Sequence, residues 1–265
     1  DRQPVADAPH TLTNLTTLPG VELDPKFSPD GARVADVWID SSGQPADIYV
    51  KSRIDGRATR VTTTPGAELS PAWSPDGAQL AFVSNDGTCH LNTVPADGGP
   101  ATKLVELGCG RTGLAWSPDG RSIAFIQQEQ AGRPGAIHAI NLASQEIARL
   151  TTPGPNGLGD FAPKFAPDGS VLSFLRSSVS GASDLYTVDL ATGETQQQTF
   201  NGSTVSGYDW AADGRSILIH TKRNGVAGLW SLPGGSGSPA LVRASADVDA
   251  GTFSVDRRRG DVVFT

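Results

Sequence analysis

The chain has 265 residues, of which 37% are apolar, and a formal net charge of -7 at pH 7. This charge has the wrong sign for displacing counterions from phosphates, so we expect this segment to bind no nucleic acid. No apolar run reaches the roughly 20 residues that cross a bilayer, and the first ten residues lack the basic-then-apolar order of a signal peptide.

A short phrase recurs along the chain at nearly constant spacing. It reads FSPDG, WSPDG, WSPDG, FAPDG and WAADG, with a worn copy, VDRRR, and it ends at Gly31, Gly77, Gly120, Gly169, Gly214 and Arg259. Successive ends differ by 46, 43, 49, 45 and 45 residues. A fixed period near 45 is typical of a repeat architecture. Because Pro presets one backbone dihedral and Gly accepts a positive φ, the phrase predicts a tight turn.

Each repeat contains the same succession of predicted strands. The strands after the turns read QLAFVS, SIAFIQ, VLSFLR and SILIHT, and the next ones read DIYVKS, HLNTVP, IHAINL, DLYTVD and GLWSLP. The closing strands read TRVTT, TKLVEL, ARLTT and ALVRA. With the strand that carries the aromatic residue before each turn, these make four antiparallel strands, which form one propeller blade.

We therefore predict an all-β fold, a six-bladed β-propeller with four-stranded antiparallel blades, as a single domain over residues 1–265. The predicted blades start near residues 25, 71, 114, 163, 208 and 252. HTLTNLTTLPGVEL (10–23) parallels RATRVTTTPGAEL (57–69). This predicts that residues 10–18 complete the last blade, so that the N-terminal strand closes the ring and removes exposed sheet edges. The third strand of that blade is either missing or taken from residues 1–9.

The two cysteines lie on neighbouring predicted strands. Cys89 begins a third strand and Cys109 follows the end of the next one. Antiparallel pairing places the start of one strand near the end of its neighbour, so a disulfide is geometrically reasonable. Two buried or free thiols are the alternative. A disulfide implies an oxidising compartment.

The sequence contains no arrangement that predicts catalysis, a cofactor or a metal site. The nearest Gly/Ser stretch, PGGSGSPA (233–240), lacks the Gly-x-Ser-x-Gly spacing of a nucleophile elbow. The four histidines are isolated, and each turn contributes one carboxylate, fewer than a calcium loop assembles. We interpret the turn aspartates as turn caps and expect no enzyme activity.

The residues five positions before the repeated aromatic precede each inner strand, where a propeller opens onto its central channel. They are Glu22, Glu68, Arg111, Asp160 and Val205, the last followed by Ser206 and Tyr208. Three carboxylates around one Arg predict a channel-mouth site for a cationic or mixed-charge ligand, or for a loop of a partner. The alternative is an Arg-centred ion cluster that stabilises the mouth.

Asp36 departs from its repeat. The other repeats have an apolar residue in the same position, namely Phe82, Phe125, Phe174, Ile219 and Phe264. A carboxylate in an apolar position costs free energy unless it is hydrogen-bonded. Asp36 is therefore either a buried polar site residue or a residue that faces solvent through a local bulge.

The motifs WSPDG, IAF, DIYV and LTT resemble the TolB-like, or WD40-like, propeller repeats over nearly the whole chain. The succession LTTLPGVELDPKFSPDG, TPGAELSPAWSPDGAQLAFVS and GYDWAADGRSILIHT is similar to the C-terminal propeller of CadC-like regulators. Those proteins join it to a winged-helix DNA-binding domain and one membrane helix, and some bacterial serine/threonine kinases carry a similar propeller. With the predicted disulfide, the resemblance implies the periplasm of a Gram-negative bacterium.

These observations together predict a non-enzymatic periplasmic sensor or interaction propeller. It would bind a protein, peptide or small ligand on its channel face and signal to a membrane-anchored DNA-binding regulator. One alternative is a TolB-like envelope-integrity protein that binds a peptidoglycan-associated lipoprotein, and a second is a propeller-type hydrolase or lyase. Met is absent even at position 1, so we expect an excised domain or a processed product, attached to a membrane only through a segment outside it.

Overall fold

The computed structural model describes residues 19–41, 44–129, 133–155, 157–199, 204–223, 225–233, 239–244 and 252–264. These residues form 22 β-strands. No helix in the described ranges is long and apolar enough to span a bilayer.

Five sheets contain four strands each. The first consists of β1 (Val21–Phe27), β2 (Arg33–Ile39), β3 (Asp47–Ser52) and β4 (Ala58–Arg60). The second consists of β5 (Ala67–Trp73), β6 (Gln79–Asn85), β7 (Cys89–Pro95) and β8 (Thr102–Leu107). The third consists of β9 (Leu114–Trp116), β10 (Ser122–Gln127), β11 (Ala136–Asn141) and β12 (Ile147–Arg149).

The remaining strands form two more such sheets and one shorter sheet. The fourth blade contains β13 (Gly159–Phe165), β14 (Val171–Ser177), β15 (Ser183–Asp189) and β16 (Thr195–Gln197). The fifth contains β17 (Val205–Trp210), β18 (Ile217–Arg223), β19 (Val226–Leu232) and β20 (Ala240–Ala244). The last two strands, β21 (Phe253–Val255) and β22 (Val262–Phe264), pair only with each other in the described part of the chain.

The prediction of six four-stranded blades is wrong, because the described residues form five four-stranded sheets and one two-stranded sheet. The all-β fold and the antiparallel order within each blade are as predicted. The difference lies in the worn last repeat, whose described residues form only the two strands β21 and β22. Residues 1–18, which include the predicted closing segment 10–18, lie outside the described residues.

The two-stranded sheet lies between the fifth and first blades. Strand β21 contacts both β17 and β1. The Ser254 hydroxyl accepts a hydrogen bond from the Phe27 amide at 3.2 Å, and Asp209 Oδ2 accepts one from the Val255 amide at 2.9 Å. These bonds join the beginning and end of the described chain around one axis.

The repeated phrase forms the tight turn that its residues predict. In the first blade, the Asp30 carboxylate accepts hydrogen bonds from the Ser28 hydroxyl at 2.5 Å and the Ala32 amide at 3.0 Å. Gly31 has a φ of 69°, in the left-handed region that favours glycine. The hydrogen bond from Ser28 is the main reason that the pKa of Asp30 is lowered. The same turn at Asp76 and Asp119 has the same bonds.

The core lies between adjacent blades. Because strand residues alternate in direction, each sheet presents apolar side chains on both faces. Between the first two blades, Phe82 packs with residues of both sheets, and it is fully buried. Its neighbours in that layer are Ala35, Ile48, Val50, Trp73, Leu80 and Val94.

Cys89 and Cys109 form a disulfide, as predicted, with a Cα–Cα distance of 5.3 Å. Cys89 pairs with Leu107 in the β7–β8 ladder, so Cys109 follows the strand directly opposite. The bond therefore fixes the outer edge of the second blade.

Removal of this disulfide tests its structural role. We expect a Cys89→Ser/Cys109→Ser variant to lose about 3 kcal/mol of unfolding free energy, because the closed loop is 20 residues long. Urea unfolding of both proteins, with and without dithiothreitol, measures the loss. Reductant should destabilise the parent protein alone, and equal midpoints for parent and variant would contradict the prediction.

Candidate functional site

The predicted channel-mouth carboxylates lie at the start of their inner strands, but each is bonded by nearby residues of the chain. Asp160 is buried and accepts two hydrogen bonds from Arg176 of its own blade, at 2.6 and 2.8 Å. This bidentate pair raises the pKa of Arg176. Glu22 lies 2.5 Å from Lys51 Nζ, also in its own blade.

Glu68 is fully buried and held by hydroxyl groups. Its carboxylate accepts hydrogen bonds from Thr62 Oγ1 at 2.8 Å and from both the amide and the hydroxyl of Thr64. Burial raises the pKa of Glu68, and these hydrogen bonds oppose that change. Thr62 and Thr64 follow β4, so Glu68 fastens the segment that joins the first and second blades.

Arg111 is exposed, unlike the buried carboxylates. Its Nη1 donates to Ser177 Oγ at 3.0 Å, and its guanidinium lies 4.3 Å from the centre of the Phe161 ring. Both contacts are with the fourth blade, whereas Arg111 precedes the third. The described contacts thus leave Arg111 outside any cluster with Glu22, Glu68 and Asp160.

Ser206 and Tyr208 have different surroundings. Ser206 is exposed, and its Oγ lies 2.7 Å from His220 Nδ1. Tyr208 is buried, and its hydroxyl donates to the Ala162 carbonyl at 2.6 Å. Tyr208 therefore supports the contact between the fourth and fifth blades, while Ser206 lies at the surface and bonds to His220.

Asp36 is buried and belongs to a three-residue charge cluster. Lys51 Nζ lies 2.6 Å from Asp36 Oδ2 and 2.5 Å from Glu22 Oε1. Lys51 is fully buried, with 0% of its surface exposed. Burial raises the pKa of Asp36 to about 6, although Lys51 opposes this change. The structure thus places Asp36 inside the protein rather than on a solvent-facing bulge.

Lys51 replaces an apolar residue of the repeat, and sequence reasoning missed it. The strand registers align it with Val94, Ile140, Val188 and Leu232 of the other blades. The Asp36–Lys51 pair therefore stands where the second blade has Phe82 and Val94. The sequence alone could have identified Lys51. Like Asp36, it is a charged residue at a position where the equivalent strands of the other blades have an apolar residue.

A second polar cluster lies on the inner strands, one residue before the turn aromatic. Lys164 Nζ is 3.0 Å from Asp209 Oδ1, and Lys26 pairs with Asp24. Burial lowers the pKa of Lys164 to about 8, and the charge of Lys26 acts in the same direction. Lys26 and Lys164 lie on β1 and β13, in the first and fourth blades. Sequence analysis also missed this cluster.

The His, Cys, Asp and Glu side chains of the described residues do not form a metal centre. Among them, no group of three or more His, Cys, Asp or Glu side chains is placed to hold a metal ion. The arrangement is chemically suited to binding. The buried carboxylates at the channel mouth are bonded within the protein, whereas Arg111 and Ser206 are exposed to solvent.

Comparison with protein families gives one match. The model of the TolB beta propeller domain family matches residues 8–156 and 115–257. A search of curated proteins found no match for this chain.

Several solved structures share the fold at low sequence identity. TolB from Acinetobacter baumannii is 18% identical with a TM-score of 0.66, over 83% of this chain and 56% of that protein. The chain thus spans little more than half of that relative. The putative TolB from Agrobacterium tumefaciens is 18% identical with a TM-score of 0.73, over 94% of this chain and 90% of that one. An oligogalacturonate lyase in complex with manganese is 16% identical with a TM-score of 0.66, over 95% and 75%.

The buried charge cluster generates a stability prediction. Replacing Lys51 with Met removes the cation and leaves the Asp36 carboxylate buried, so we expect a loss of about 3–5 kcal/mol of unfolding free energy. The matched control is Asp36→Phe/Lys51→Val, which installs the residues of the second blade and should be less destabilised. Urea unfolding measures both, and an unchanged midpoint for Lys51→Met would show that the pair is not needed.

The raised pKa of Asp36 generates a pH prediction. The carboxyl ionises near 3.8 in the unfolded chain and at about 6 in the fold, so the folded state binds more protons between these values. The contribution of Asp36 to the unfolding free energy should therefore fall as the pH rises from about 4 to 6. Unfolding the parent and Asp36→Asn at several pH values measures this difference. A difference that does not change with pH would refute the assignment.

Proposed function

We propose, from the premise that this chain belongs to the TolB beta propeller domain family, that it is a non-enzymatic recognition module. Its channel-mouth face binds a protein or peptide partner, or a small ligand. The observation that carries the proposal is the exposed Arg111 guanidinium, held over Phe161 and by Ser177. An Arg fixed on an aromatic ring loses little freedom on binding, and Arg is enriched at binding hot spots.

The proposal also includes a cellular location and a signalling role. The Cys89–Cys109 disulfide supports an oxidising compartment, which for a bacterial protein of this family is the periplasm. The order of motifs supports a sensor attached to a membrane-anchored winged-helix regulator of the CadC-like kind. In that arrangement, binding at the propeller would control the DNA-binding domain.

A second candidate for the partner is a peptidoglycan-associated lipoprotein. The fold similarity to two TolB structures favours it. Here the same face would bind an envelope component to maintain the cell envelope, without signalling to DNA. The two candidates share the binding face and differ in the protein that occupies it.

Hydrolysis is a candidate function of a different class, and one contact favours it. Ser206 Oγ lies 2.7 Å from His220 Nδ1, the distance at which a histidine can take a hydroxyl proton. The hydroxyl also lies 3.2 Å from the His220 carbonyl, which is an ordinary acceptor in a β-ladder. Labelling by a fluorophosphonate that disappears in Ser206→Ala would establish this activity, and absence of labelling would leave the contact structural.

Replacement of Arg111 tests the recognition proposal. We expect Arg111→Ala to reduce partner binding about tenfold or more, since truncated hot-spot residues cost at least roughly 1–2 kcal/mol. The immobilised protein would be exposed to envelope extract of the native bacterium and, separately, to its purified peptidoglycan-associated lipoprotein. Capture of the lipoprotein by the parent protein supports the second partner.

The matched control is Arg121→Ala. Arg121 is equally exposed but directly follows the turn at Gly120, at the opposite end of its blade from the channel mouth. Equal binding by both variants would place the partner elsewhere and contradict the proposal.

A further inference from the structure

A small cleft lies beside the third blade, at the channel-mouth end of its strands. It encloses about 270 Å³. Its polar lining comes from Glu129, Arg133 and Arg149, and its apolar lining includes Pro134, Pro153 and Pro155. Pockets for drug-sized ligands are generally about 300–1,000 Å³, so this cleft suits a smaller group such as one side chain.

The cleft has more positive than negative charge. Arg149 donates from Nε to the Thr151 carbonyl at 2.9 Å and from Nη1 to Glu129 Oε2 at 3.3 Å. Glu129 also contacts His138 Nε2 at 3.1 Å. Arg133 has no side-chain hydrogen bond or ion pair with any described residue, and Arg149 retains unused donors. One guanidinium is thus in excess of the available carboxylate.

The first blade provides an internal comparison, because it matches the third residue by residue. Asp36 and Arg60 occupy the register positions of Phe125 and Arg149, 89 residues later. On the same offset, Gln44 corresponds to Arg133 and Asp47 to Ala136. In the first blade, Asp47 neutralises Arg60 at 2.8 Å. The third blade has lost this carboxylate and gained a second Arg.

The rim of the cleft is held in place by the neighbouring blade. Gly135, next to Pro134, forms a bridge with Gly159, and its carbonyl accepts a hydrogen bond from the Asp160 amide at 2.9 Å. A Cβ on Gly159 would lie 2.7 Å from the Gly135 nitrogen, so the two backbones are as close as glycine permits. The prolines add no amide donors. Donors therefore come from the guanidinium groups, which match a carboxylate in geometry.

We propose that this cleft binds a carboxylate side chain of an acidic peptide, with Arg133 and Arg149 as the binding residues. The inference deepens the proposed function, on which it rests in taking the peptide to be part of the partner. A carboxylate between two guanidinium groups forms charge-assisted hydrogen bonds. The binding weakens as ionic strength rises.

Fluorescence anisotropy with an N-terminally labelled tetraglutamate peptide tests the proposal, with tetraglutamine as the neutral control. We expect the parent protein to bind tetraglutamate but not tetraglutamine. Arg133→Gln should weaken the affinity for tetraglutamate about tenfold or more, since a hydrogen bond to a charged group is worth about 1.5–3 kcal/mol. Arg133→Gln copies Gln44 of the first blade. Arg121→Gln, at the opposite end of the blade, should bind as the parent does.

A second variant restores the missing carboxylate instead of removing the cation. Ala136→Asp copies Asp47, and we expect it to pair with Arg149 and to weaken tetraglutamate binding to a similar degree. Circular dichroism confirms that each variant is folded. No binding of tetraglutamate by the parent, or equal binding by parent and Arg133→Gln, would overturn the proposal. Complete displacement of bound tetraglutamate by an equal concentration of glucuronate would overturn the peptide assignment.

This titration is separate from the partner-capture test of the proposed function. If peptide binding fails while capture remains sensitive to Arg111, only the cleft assignment falls. If the peptide binds at Arg133 while partner capture does not depend on Arg111, the cleft assignment is supported and the partner-binding face lies elsewhere than at Arg111.

Discussion

The hydrogen bonds of the Ser-Pro-Asp-Gly turn determine where each inner strand ends and where the next strand starts. The turn Asp is bonded by a hydroxyl and an amide within five residues, so the geometry is local and the same in several blades. Successive turns also touch: a Cβ on Gly77 would lie 3.7 Å from Pro29, and one on Gly120 would lie 3.9 Å from Pro75. One local turn thus sets both the strand register and the spacing of neighbouring blades.

Because the turn fixes the register, equivalent residues of different blades occupy equivalent surroundings. A departure from the repeat therefore has a definite structural meaning. Asp36 and Lys51 depart together, and each compensates the charge of the other inside an otherwise apolar layer. A buried ion pair of this kind seldom adds net stability over apolar residues, but losing one partner is costly.

The local features of this fold were predictable from the sequence, whereas the partners of its charged residues were not. The turns, the strand order and the disulfide follow from short spacings and strand periodicity. The number of four-stranded blades does not, because the last repeat keeps its period while its described residues form only two strands. Asp160 and Arg176 are 16 residues apart, and only the β13–β14 register places them together. Lys51 stands out only by comparison with Val94 and its equivalents in the other blades.

The same register argument separates charges that build the propeller from charges that are available to bind. A buried carboxylate with a partner in its own blade, such as Asp160, has already formed the bonds that offset its burial. An exposed guanidinium, such as that of Arg111 or Arg133, retains donors that can bond to another molecule. A substitution at one repeat position can remove the partner of a neighbouring charged residue without altering the backbone. That residue then has donors or acceptors that can bind another molecule. The first and third blades differ in this way, since Asp47 pairs with Arg60 in the first blade, whereas Ala136 stands at that position in the third blade and Arg149 shares the Glu129 carboxylate with His138. Binding sites can therefore arise on this fold one blade at a time.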